Sequence, residues 1–178
     1  MEKEKINSIY KWNLYLYVPT IFLLSALHHF LYNLLPCGFV GVFAPINESL
    51  KEHTKIVFYP VILWWLITFV AFRKAKAIKW SRWFTSASIA GILSVALLVS
   101  SFSVIFYGFE VESESFLIHM IIELLSLTIG GLVGHHYYKR ATSNKWVELT
   151  IMLLALCLSI LMVIFTFVSI DVPIFISP

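Results

Sequence analysis

Five stretches of this chain, Trp12 to Leu35, Ile56 to Phe72, Phe84 to Tyr107, Phe116 to Tyr138 and Trp146 to Ile170, contain no Lys or Arg, and their only acids are Glu123 and Glu148. Each is close to the ~20 residues that carry a helix across a bilayer core. Hydrocarbon offers no partner to backbone N–H and C=O groups, so such segments must be helices or strands of a closed barrel. These runs are too long and too uniformly apolar for barrel strands, which alternate over about ten residues. The fold class expected is therefore all-α: an integral membrane bundle of five transmembrane helices, forming one transmembrane helical domain over residues 1–178. The chain is 60% hydrophobic and 13% charged, against roughly 45–50% and about 25% in a soluble domain.

The basic residues report topology. Arg73, Lys74, Lys76, Lys79 and Arg82 fill the second connection without an acid, and Lys139, Arg140 and Lys145 flank the fourth. Glu110, Glu112 and Glu114 make the third connection purely acidic. By the positive-inside rule the N-terminus is expected inside and the C-terminus outside. A formal charge of +3 distributed in this way gives no reason to expect a nucleic-acid partner. The first span is about twice the length of a signal-peptide core and is expected to remain as an anchor. Cys37 and Cys157 belong near a helix end and in mid-membrane respectively, too far apart for a disulfide.

The connection PCGFVGVFAPINESLKEHTK, residues 36–55, is too apolar for a plain solvent loop and is expected to be partly re-entrant or interfacial. Pro45 stops a helix before it. Asn47 can cap a new one with Glu48 in its first turn, and Ser49 with Glu52 offers a capping box two residues later. From either start the helix could run on into the second span, with Pro60 as the expected kink.

Orientation brings ionisable groups to one depth. His28 and His29 lie in the outer half of the first helix, while His119 and Glu123 open the fourth from the same side. Glu48, Glu52 and His53 lie between them. Glu48 and Glu52, like His119 and Glu123, are four apart and share a helical face. His28 and His29 diverge by about 100°, so one should point inward and the other elsewhere. Ionisable groups at membrane depth are costly and mark a functional site by default. Imidazole and carboxylate together suit a divalent metal, zinc first, with iron or manganese as alternatives. The ligand candidates are His28, Glu48, His53, His119 and Glu123, and Glu52 or Glu48 is the candidate catalytic base. The plainer alternative pairs Glu48 and Glu52 with Lys51 and Lys55 on a solvated surface, while His28 and His119 satisfy each other or a carbonyl. No HExxH or paired-cysteine signature is present.

His135 and His136 follow His119 by at least sixteen residues, or ~24 Å along a helix, so they belong to the opposite end, near the helix C-terminus or lipid phosphates. Gly130, Gly131 and Gly134 read as a close-packing surface. Ser94, Ser100, Ser101, Ser103, Ser126 and Thr128 read as interhelical hydrogen-bonding groups, with no nucleophile elbow around any of them.

The stretch Leu27-His28-His29-Phe30-Leu31-Tyr32, followed by Phe43-Ala44-Pro45-Ile46-Asn47-Glu48-Ser49-Leu50-Lys51-Glu52-His53, resembles an uncharacterised family of small bacterial multi-span membrane proteins marked by a P-[VI]-N-E-S-x-x-E-H segment. The closing Asp171-Val172-Pro173-Ile174-Phe175 is similar too. The resemblance implies a bacterial plasma membrane and about five helices, and supplies no activity. The expectation drawn from the residues is a metal-dependent membrane hydrolase acting on a lipid or lipid-linked substrate at the outer leaflet. Membrane hydrolases of the ceramidase type are an analogy in chemistry only, since they have more spans and a different motif order. The alternatives are a cation- or proton-binding transport protein and a small structural or regulatory subunit with a partner.

Overall fold

The structure, a computed structural model, describes residues 2–72, 78–109, 116–142 and 144–168, with side chains for all of these except 2–10, 12 and 107. The elements are α1 (Glu2–Leu34), the short α2 (Gly38–Phe43), α3 (Leu50–Phe72), α4 (Trp80–Phe102), a π-helical turn (Ser103–Gly108), α5 (Phe116–Arg140) and α6 (Lys145–Phe167). No strand occurs among the described residues. Five of the helices are long and apolar enough to span a membrane, over Asn13–Leu34, Leu50–Phe72, Trp80–Phe106, Phe116–Arg140 and Lys145–Phe167. The protein is a multi-pass helical membrane protein.

The first span sits inside a longer helix, and the second begins six residues earlier than apolarity alone suggests, because α3 takes in the polar turn Leu50–Lys55. Its start is the later of the two capping options. Asn47 Oδ1 accepts from the Ser49 N–H (3.0 Å) and from the Ser49 hydroxyl (2.6 Å), and the Ser49 carbonyl receives the first helical bonds, from Glu52 and His53. The capping box does not form, because Glu52 turns to Lys55 and the Ile46 N–H instead. Between α1 and α3, α2 forms the helical part of the apolar connection. The basic run at Arg73, Lys74 and Lys76, the acidic run at Glu110, Glu112 and Glu114, and the closing Asp171–Phe175 lie outside the described residues.

The core is built where small residues let helices approach. Gly130 and Gly134 of α5 face Ser94, Ala90 and Ser86 of α4; a Cβ on Gly134 would stand 2.7 Å from the Ser86 carbonyl oxygen. Gly131, on the adjacent face, gives room to the Tyr17 ring of α1, which is 1% exposed and donates from its hydroxyl to the Leu127 carbonyl (3.3 Å). A methyl group there would overlap the ring itself. Gly131→Ala should therefore destabilise the bundle by the ~1–3 kcal/mol typical of overpacking, read as a lower unfolding temperature in detergent.

Several polar groups inside the bundle are hydrogen-bonded across or along helices. Ser94 Oγ donates to the Ser126 carbonyl (3.1 Å), Trp64 Nε1 to Asn13 Oδ1 (2.7 Å), and Trp83 Nε1 to the Trp65 carbonyl (2.8 Å). Ser126 and Ser103 bond back to their own helices. Trp80 and Trp146 are exposed at helix ends, as belt residues should be, but Trp83 is 1% exposed and packs edge-on to Trp65. His135 is also in the core. Its Nδ1 donates to the Gly131 carbonyl (2.7 Å), and its ring lies against Tyr17 and Trp65 rather than near lipid phosphates. Both cysteines are free and exposed.

Candidate metal centre

One end of the bundle holds α2, the start of α3, the π-turn and the start of α5, and the expected residues converge there. The convergence differs from expectation in which histidine takes part. His29 of α1, Glu48 of the α2–α3 connection and His53 of α3 place one ligand atom each within 4.8 Å of one another. Glu48 Oε2 lies 3.4 Å from His53 Nε2, and Glu48 Oε1 lies 3.7 Å from His29 Nε2. Ligand atoms around a tetrahedral zinc with bonds of 2.0–2.1 Å are about 3.3 Å apart, so the His53–Glu48 edge is already close to that size.

The proton positions are informative. His53 Nδ1 is 3.1 Å from the Ser49 carbonyl, which can only accept, so Nδ1 carries the hydrogen and Nε2 presents a lone pair in the neutral ring. This is how a carbonyl behind a metal-binding imidazole fixes its tautomer. It also leaves two electron-rich atoms, His53 Nε2 and a Glu48 oxygen, facing each other. A cation between them, either a proton on the ring or a metal ion, removes the repulsion.

His28 is turned away. Its Nε2 donates to the carbonyl of Phe43, the last residue of α2 (2.8 Å), and its ring faces Tyr59. Consecutive helical residues diverge by about 100°, and a carbonyl at a helix C-terminus lacks an intrahelical donor, so His28 caps α2 while His29 joins the cluster. His28→Ala should cost about 1 kcal/mol for that hydrogen bond and leave metal affinity unchanged, as a parallel unfolding and zinc titration would read.

Glu52 is likewise elsewhere. It is 1% exposed and paired with the fully buried Lys55 at 2.7 Å. Lys55 Nζ also donates to the carbonyls of Gly41 (2.7 Å) and Ala44 (3.4 Å), and Glu52 accepts from the Ile46 N–H (3.1 Å). The pair clamps residues 41–46 onto α3 and so sets the entry of the chain to Glu48. The solvated-surface alternative for Glu52 and Lys55 does not hold: burial under α2 makes Lys55 a structural cation.

His119 and Glu123 line the same cavity as the three clustered residues, with Glu123 one helical turn further along α5 than His119. The cavity holds about 120 Å³ and is walled by Ala26 and Phe30 of α1, Leu98 and Phe102 of α4, and Phe116 and Met120 of α5. His119 is set among Phe102, Phe106 of the π-turn and His53, whose ring centroid is 6.5 Å away. Glu123 is hydrogen-bonded to Ser25 of α1. Ser25 was not singled out from sequence, although its i,i+4 spacing to His29 was the available signal. Toward the other end the core closes over Tyr17, Ile21, Val61 and Leu127, each 0–1% exposed.

No curated protein and no solved structure matches the chain. The model of one sequence family matches almost end to end, and the chain belongs to that family, a family of unknown function (DUF6512), over residues 1–177.

Proposed function

We propose that this protein is a membrane-embedded, metal-dependent hydrolase acting on a lipid or lipid-linked substrate. The observation that carries the reading is the grouping of His29, Glu48 and His53, with the His53 tautomer fixed by Ser49, at the rim of a cavity whose other walls are apolar except for His119 and Glu123. Three protein ligands with an open fourth position is the arrangement of catalytic zinc. A divalent cation held there supplies Lewis acidity toward a carbonyl or phosphoryl oxygen. His29 and His53 would bind through Nε2 and Glu48 through a carboxylate oxygen.

The substrate class follows from the walls. Ala26, Phe30 and Phe116 are exposed on the outside of the bundle while lining the cavity, which supports an opening between α1 and α5 toward hydrocarbon. A lipid could enter there with its polar bond at the histidines and its chain against Phe30 and Phe116. The basic connections belong to the opposite end of the bundle, which supports placing the cavity at the outer leaflet. The closed packing over Ile21, Val61 and Leu127 favours this reading over a transport pathway.

The test is turnover in vesicles. Purified protein loaded with zinc, iron or manganese should release fatty acid or headgroup from an ester-, amide- or phosphoester-linked lipid. Chelator should abolish release and the added metal restore it. Stoichiometric metal without turnover on any of the three linkages would overturn the hydrolase and leave a metal-binding membrane protein.

A further inference from the structure

The state of Glu123 on α5 follows from a proline two helices earlier, in α3. Pro60 lies inside α3 and has no N–H, so the carbonyl of Ile56, four residues earlier, lacks its helical donor. Ser25 of α1 fills that role, with its Oγ 2.8 Å from the Ile56 carbonyl oxygen. The same Oγ is hydrogen-bonded to Glu123 Oε1 of α5. A serine hydroxyl has one proton to give and a carbonyl can only accept. The proton between Ser25 and Ile56 is therefore the serine's, and the proton between Ser25 and Glu123 must come from the carboxyl group. The other assignment would set two lone-pair-bearing oxygens 2.8 Å apart at Ile56, a residue 1% exposed, and leave its carbonyl without a donor.

We propose that Glu123 is held as a neutral carboxylic acid in the cavity wall and is the proton donor to the leaving group of the hydrolysed lipid. The first half stands on hydrogen-bond geometry alone, and the second rests on the hydrolase reading above. The titratable groups sharing the cavity are His29 of α1, Glu48 of the connection, His53 of α3 and His119 of α5, while α4 contributes Leu98 and Phe102. The three clustered residues occupy the rim and Glu123 the α5 wall, so binding and proton delivery fall to different side chains. In the step, the oxygen of water bonds to the scissile carbonyl carbon or phosphorus as the bond from that centre to the leaving atom breaks, an oxygen in an ester or phosphoester and a nitrogen in an amide. The Glu123 proton goes to the leaving atom, and the proton released by water returns to the Glu123 carboxylate. One water is consumed and the acid is restored.

The experiment is infrared difference spectroscopy at neutral pH on metal-free protein in lipid, comparing wild type with Glu123→Gln. The glutamine amide keeps a donor toward Ser25, so this variant should fold like wild type. The difference spectrum should contain the carbonyl stretch of one protonated carboxyl group. Pro60→Ala returns an N–H to the Ile56 carbonyl and frees Ser25 to donate to Glu123, so in that variant the carboxyl band should weaken in favour of carboxylate. A carboxylate band alone in the wild-type difference would overturn the assignment, whatever Pro60→Ala does. For the role, metal-loaded Glu123→Gln should lose about 10²–10⁴-fold in turnover with metal content unchanged, and equal turnover would remove Glu123 as the donor. Because the spectrum is recorded without metal, a neutral Glu123 in a protein without turnover would refute the hydrolase while the proton assignment stood.

Discussion

Replacing Lys55 with Met is expected to destabilise the protein by about 3–5 kcal/mol, the cost of leaving one member of a buried ion pair without its partner. Glu52 is 1% exposed and its carboxylate has the Ile46 N–H as its other hydrogen-bond donor, so the lost ammonium is not replaced by water. The carbonyls of Gly41 and Ala44 lose their donor in the same substitution. The double replacement Glu52→Leu with Lys55→Met removes both charges and should recover much of the loss, since apolar substitutes for a buried pair are often neutral or better. Denaturant unfolding in detergent would measure both. Equal stability of wild type and the single variant would mean that water reaches the pair.

His53→Ala should weaken zinc binding by roughly 100-fold or more, exceeding the ~10–100-fold that loss of a group hydrogen-bonded to a ligand costs. The ring supplies the one ligand atom whose tautomer the fold already fixes, through Ser49, and it stands between Glu48 and His119. Its side chain is 13% exposed, whereas that of Glu48 is 64% exposed, so the histidine is the more firmly placed of the two. A competition titration against a chromophoric chelator would give the ratio. Binding should also weaken as pH falls, because protons compete with metal for imidazole nitrogen.

The spans were legible because hydrocarbon leaves a chain so few options: each long apolar run became a helix, and the boundaries moved mainly where polar turns joined them, as Leu50–Lys55 joined α3. The convergence of Glu48, His53, His119 and Glu123 on one cavity was legible for the same reason, since span direction fixes depth. Helix rotation was not. Nothing local to His28 and His29 says which will meet Glu48, because the choice is made by the Phe43 carbonyl on α2, an element that had to fold back first. Glu52 and Lys55 had readable i,i+3 spacing, but their burial depends on the same fold-back. His135 was expected near the membrane surface; the close approach of helices at Gly131 and Gly134 draws it into the core. The link from Pro60 through Ser25 to Glu123 joins α3, α1 and α5 and exists only once those helices are packed.

The most direct test of the proposed metal centre is metal content by mass spectrometry on detergent-purified protein, with Glu48→Ala, His53→Ala and, as control, His28→Ala. Near one equivalent in wild type and in His28→Ala, lost in the other two, is the predicted result. No metal in wild type after exposure to zinc, iron and manganese would contradict it, and would leave His29, Glu48 and His53 as a proton-bridged polar cluster.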